Sequence, residues 1–130
     1  MSVDVPGDRP VLVVKGEAPT VIVYLHGRCG DPTAFTAWIE AAAKFGTLVS
    51  LTGETRCKHS TRTHWAHGPD AIDRRVTKAL AAVEEALEID LDEDRRIVVG
   101  YSQGALKAEA LATRFPLRYP RAVLIAGPRG

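Results

Sequence analysis

Apolar positions along the chain fall into two kinds of stretch. Some are short unbroken runs, and others recur every three or four residues. Val11–Val14 and Val21–Leu25 are β-branched runs, and Lys15, Gly16, Glu17, Ala18 and Pro19 between them are a turn by composition. They read as a strand pair with the first strand at an edge. The second run has no polar alternation, as expected of a strand buried on both faces of a mostly parallel sheet. Asp31 and Pro32 then read as an N-cap followed by proline at the first helical position. Phe35, Trp38, Ile39, Ala42 and Phe45 share one stripe, which predicts a helix ending at Phe45 before Gly46, with Trp38 and Phe45 in the core. Thr47–Leu51 is the next predicted strand. Gly53–Pro69 is a polar loop without periodicity. Ile72, Val76, Leu80, Val83 and Leu87 predict a helix over Ala71–Leu87, with Arg75, Glu84 and Glu85 on its solvated face. Asp90–Asp94 reads as an acidic connector, Arg96–Val99 as a strand, Ala105–Ala112 as a helix and Ala122–Ala126 as a last buried strand. Alternating strands and helices imply the α/β class: a doubly wound, mostly parallel sheet with helices on both faces.

Composition narrows this picture without redirecting it. The 130 residues make one domain, spanning 1–130, and 45% apolar residues suffice for a core. A net charge of +1 implies no basic face and argues against nucleic acid as a general partner. No run is long enough to span a bilayer. Residues 1–10 are polar, with Asp4, Pro6 and Asp8, unlike a secretory leader. The expected compartment is the cytoplasm, with the periplasm or secretion as the alternative if the two cysteines pair.

The sharpest chemical signal is Gly100-Tyr101-Ser102-Gln103-Gly104, set between a β-branched strand and a run of strong helix formers. A G-x-S-x-G turn in that context is a nucleophile elbow. The serine takes a strained conformation that lifts its hydroxyl off the sheet, and side chains in place of the glycines would collide with strand or helix. A second motif, Leu25-His26-Gly27, closes the second apolar run.

With these two motifs the chain resembles α/β-hydrolases of the serine esterase kind, in particular the small carboxylesterase, lysophospholipase and acyl-protein thioesterase group. The resemblance implies a truncated three-layer α/β-hydrolase sandwich and hydrolysis of a carboxylic ester or thioester through an acyl-Ser102 intermediate, with no metal or organic cofactor. It implies the backbone N–H groups of Gln103 and Arg28 as oxyanion donors, worth roughly 3–4 kcal/mol each. It makes His26 a structural residue hydrogen-bonded below the loop, and Gly27, Gly100 and Gly104 supports of the two motifs. The family order is Ser, then Asp or Glu, then His. After Ser102 the sequence has Glu109 as its one acid and no histidine, and Glu109 falls inside the elbow helix.

The chain therefore matches the first two-thirds of such a fold, and an apolar strand at Ala122–Ala126 would be an unprotected edge. The favoured expectation is a companion C-terminal segment or partner chain that supplies base and acid. A homodimer covering that strand, or omitted segments, also fits.

Gly53–Pro69 leaves the carboxyl end of a strand, where ligands bind in such sheets. His59, His64 and His67 are candidates for the substrate side, either as solvated specificity-loop residues or as a non-standard base, and Trp65 is a candidate pocket wall. Cys57, His59, His64 and His67 match no closed zinc spacing well. Cys29 and Cys57 each follow one of two strands that are neighbours in this fold, so they form a candidate disulfide; otherwise they are small buried or half-buried thiols. Two other classes stay open. One is an inactive hydrolase-like binding or assembly module that uses its last strand as an interface. The weaker one is a nucleotide-binding domain, since Gly27-Arg28-Cys29-Gly30 lacks G-x-G-x-x-G.

Overall fold

The computed structural model describes residues 1–33 and 39–126, without the Ile39 side chain. Phe35, Trp38 and residues 127–130 lie outside the described residues. In chain order the elements are β1 (Ser2–Val3), β2 (Val11–Val14), β3 (Thr20–Leu25), α1 (Ile39–Phe45), β4 (Thr47–Leu51), β5 (Thr55–Arg56), β6 (Thr63–His64), α2 (Pro69–Leu87), β7 (Asp92–Tyr101), α3 (Gln103–Arg114) and β8 (Arg121–Ile125).

Six strands form one sheet in the order β1-β2-β4-β3-β7-β8. The β4-β3-β7-β8 part is parallel, and β1 and β2 run antiparallel to their neighbours. The two apolar runs read as a strand pair are therefore not neighbours. β4 lies between them, and β1 takes the edge that β2 was expected to hold. The connector explains this: Gly16 N–H is bonded to Thr47 Oγ1 and Glu17 N–H to Ala43 O, so it leads away from β3 instead of folding back as a hairpin. β7 also starts earlier than expected. Asp92 pairs with Thr20, a register shift follows, and so part of the acidic connector is strand.

Alternation along β3 sorts the core into two layers. Val21, Val23 and Leu25 pack with Ile72, Val76, Leu80 and Val83 of α2 and with Ala108 and Leu111 of α3. Ile22 and Tyr24 pack on the opposite face with Leu48, Val99 and Ala42 of α1. Helices thus cover both faces, as the α/β reading required. The second layer is thin among the described residues. Phe45 is 68% exposed rather than core, because it overhangs an apolar groove floored by Ile22, Ile97, Val99, Val123 and Ile125. Among the described residues β8 is bonded on one side to β7, and all five of its residues are exposed rather than buried as expected of an inner strand. No helix among the described residues is long and apolar enough to cross a membrane.

The amino end of the sheet is closed by a buried polar cluster. Asp73 of α2 accepts from Arg96 Nη1 at 3.1 Å, from the Tyr119 hydroxyl at 2.7 Å and from Arg118. Arg96 also donates to Glu93 O, to Tyr119 Oη and to Thr77 Oγ1. Burial, and then the Asp73 carboxylate, push the Tyr119 hydroxyl well above the usual phenol range. Arg96 is the one charged residue of a stretch read as an apolar strand, and its burial is offset because each nitrogen of its guanidinium has a partner.

Candidate functional site

Ser102 joins the carboxyl end of β7 to the first residue of α3. Its backbone stands at φ 55°, ψ −113°, a region costly for a residue with a side chain, and it is exposed. Three close approaches explain the neighbouring glycines. A Cβ at Gly104 would stand 2.0 Å from Leu25 O, and one at Gly100 would stand 2.2 Å from Gly104 O. A Cβ at Gly27 would come 3.1 Å from the Tyr101 ring and 3.4 Å from Ser102 Cβ. The two sequence motifs therefore meet in space, with Gly27 pressed against the serine.

The Ser102 N–H is committed to Ile125 O of β8 at 2.9 Å. Its carbonyl accepts from Ala105 and Leu106 within α3. Gln103 and Gly104, the first residues of the helix, carry N–H groups with no intrahelical acceptor, at the end where the helix dipole favours negative charge. Arg28 is exposed in the turn after β3, which is closed by Gly30 N–H on Gly27 O.

His26 is fully buried. Its Nε2 accepts from Gly53 N–H at 2.9 Å and lies 3.2 Å from Thr63 Oγ1, so its Nδ1 proton goes to Gly27 O at 2.6 Å. Burial holds the imidazole below its ordinary pKa, that is, neutral. Both nitrogens are occupied within this arrangement, and neither faces Ser102.

The segment read as a featureless polar loop contains a small antiparallel ribbon, β5 with β6, and Gly30 bridges to Thr63. Cys29 and Cys57 are joined in a disulfide, which ties the Arg28 turn to the ribbon and leaves no Cys57 thiolate for a metal. Trp65 is not a pocket wall. It is 1% exposed, its indole N–H donates to His26 O at 2.8 Å, and its ring lies 5.1 Å from the His26 ring. The sequence showed no stripe around it because its neighbours come from β3, α2 and α3. His59 is exposed between the ribbon strands at φ 59°, His64 is half-buried on β6, and His67 is exposed with its carbonyl accepting from Lys107. Among the described residues no side chain hydrogen-bonds Ser102, so the structure does not bring these histidines to it.

Sequence reasoning missed three supports. The Gln103 side chain accepts from Trp65 N–H at 2.9 Å and donates to Trp65 O at 3.2 Å. Glu54 Oε1 accepts from the amides of Ala66 and His67, and burial is outweighed by those amides in holding its carboxyl below the usual range. Arg75 is not solvated. It bonds Asp8 at 2.7 Å and Thr52 O at 2.6 Å and lies over Trp65. A long polar residue on a helix carries no sign of which loop will fold over it.

With this geometry, the comparisons with known proteins are specific about fold. No protein-family model matches the chain, and no curated protein matches it in sequence. Solved structures do. PA3053 of Pseudomonas aeruginosa PAO1, described as a candidate hydrolytic enzyme, superposes with a TM-score of 0.58 at 22% identity, over 98% of this chain and 40% of its own. ALR0039 of Nostoc sp. PCC 7120, described as a candidate α/β-hydrolase, gives 0.62 at 20%, over 95% and 41%. The thioesterase domain from the curacin biosynthetic pathway gives 0.55 at 20%, over 98% and 46%. The chain has the α/β-hydrolase fold and spans about two-fifths of the length of these structures.

Proposed function

We propose that this chain carries the nucleophile and the oxyanion donors of a serine hydrolase acting on a carboxylic ester or thioester. Ser102 Oγ attacks the acyl carbon. The carbonyl oxygen becomes an oxyanion facing the backbone N–H groups of Gln103 and Arg28. The base takes the Ser102 proton and passes it to the alcohol or thiol as the carbonyl re-forms and that group leaves; water, deprotonated by the same base, then releases the acid from acyl-Ser102, whose Oγ takes the proton back. The observation that carries the reading is the exposed Ser102 at φ 55°, on a turn whose glycines cannot be replaced and against which Gly27 is packed. The fold shared with hydrolytic proteins is consistent with it. His26 is not the base, since both its nitrogens are engaged. The base and its acid come from polypeptide outside residues 1–130, held against β8, whose Ile125 already bonds the Ser102 amide.

The test uses the folded chain and a fluorophosphonate, with and without imidazole as a substitute base. The reading expects slow phosphonylation at Ser102, accelerated by imidazole and absent in Ser102→Ala. No adduct under either condition would overturn it.

A second reading has its own observation. β8 is exposed over its whole length beside an apolar groove, which favours an inactive assembly module using this edge for a partner or a second copy. A folded chain that is unreactive and dimeric in sedimentation would support it.

A further inference from the structure

The two amides assigned above to the oxyanion sit on different elements, Arg28 on the turn after β3 and Gln103 at the start of α3. One short segment touches both. Trp65 bonds the Gln103 side chain with its own N–H and C=O, while its indole N–H reaches His26 O. Two residues earlier, Thr63 O accepts from Cys29 N–H at 2.8 Å, and Thr63 Oγ1 lies on His26 Nε2. Arg28 is therefore bracketed: the residue after it and His26, two before it, are both fastened to 63–65, and so is Gln103.

We propose that Thr63–Trp65 and the Gln103 side chain form a cross-brace that sets the separation of the two oxyanion amides, which makes Gln103 a positioning residue through its side chain. This rests on the acyl-serine reading. The physical argument is the side chain's chemistry. Residues on the open face of a first helical turn are ordinarily solvated. This one instead satisfies both the backbone N–H and the backbone C=O of a single residue, Trp65. A primary amide carries donor and acceptor on two atoms of one planar group at the end of this side chain; a carboxylate would keep the bond to Trp65 N–H and set an oxygen against Trp65 O. Oxyanion stabilisation needs donors held in place before charge develops, and displacements near 1 Å cost about 100-fold. Thr63 and Trp65 are buried and the Gln103 amide is spent on Trp65, so the brace acts on the rate of the chemical step and not on encounter with the probe.

The experiment measures fluorophosphonate inactivation in imidazole, resolved into a maximal rate and a half-saturating concentration. Gln103→Met keeps the length and removes both bonds, and Gln103→Glu keeps one and serves if the first variant does not fold. The expected result is a 10- to 100-fold fall in maximal rate with half-saturation within about 2-fold, in variants that melt cooperatively. A folded variant reacting within about 2-fold of the parent overturns the brace while leaving the nucleophile intact. A parent chain that does not react overturns the acyl-serine reading, and the brace falls with it.

Discussion

The two ends of the parallel sheet handle polar groups in opposite ways. At the amino end, Asp73, Arg96, Tyr119 and Arg118 are closed on one another, and the carboxylate, the guanidinium and the phenol are all partnered. At the carboxyl end, equal care goes into the surroundings of one group that is itself left alone. His26, Thr63, Trp65 and Gln103 are bonded in a continuous set, and Ser102 is strained and exposed, with no hydrogen-bond partner for its hydroxyl among the described residues. A satisfied cluster stabilises the folded chain. An exposed hydroxyl on such a platform is what the proposed acyl transfer requires.

The comparison breaks first if the amino-end cluster affects reactivity. Asp73→Ala removes the acceptor of three donors and leaves Arg96 buried with its carboxylate partner gone, so it is expected to cost about 3–5 kcal/mol in urea unfolding. Fluorophosphonate reactivity per folded molecule should not change.

The disulfide tests the other end. It closes a loop with a sequence separation of 28, and chain entropy puts its contribution at about 3.5 kcal/mol. Replacing Cys29 and Cys57 with serine should lower stability by up to that amount. It should also slow phosphonylation of the folded protein, because the Arg28 turn loses its tie to the ribbon. Equal slowing by Asp73→Ala would erase the distinction between the ends.

The smallest effect is on pH dependence. His26 titrates lower in the fold than its ordinary 6.5, because burial disfavours the cation. The unfolded chain then takes up the proton first, so stability is full above about pH 6.5 and declines as pH falls below it. Glu54 and Asp8 are likewise held below their ordinary 4.5 and 3.8, and they add a second loss as pH falls through the acid range. Melting temperature against pH should fall in two stages. His26→Gln should flatten the upper stage only, and Glu54→Gln should reduce the lower one.

What could be read in advance follows from how local each cause is. The elbow was legible because strand, G-x-S-x-G and helix follow one another in a few residues, and Gly100 answers to Gly104 O within the same turn; the contact that requires Gly104, Leu25 O at the end of β3, is distant in sequence and was legible only through the motif. β3, β4 and α2 were legible from their unbroken or periodic apolar positions. The ribbon was not, since two-residue strands carry no period, and neither was the burial of Trp65 and Arg96 or the half-burial of Arg75, whose main partners are distant in sequence. The neighbour of β2 was misread because a connector rich in turn residues looks the same whether or not it closes a hairpin.

The central claim is that two amides are aimed at the oxygen that gains charge when Ser102 is acylated. The crystal structure of the phosphonylated protein measures it directly. The account predicts phosphorus on Ser102 Oγ and its free oxygen about 2.7–3.1 Å from both Arg28 N and Gln103 N. A phosphonyl oxygen turned to solvent with neither amide near it, or phosphorus on another serine, would contradict the account.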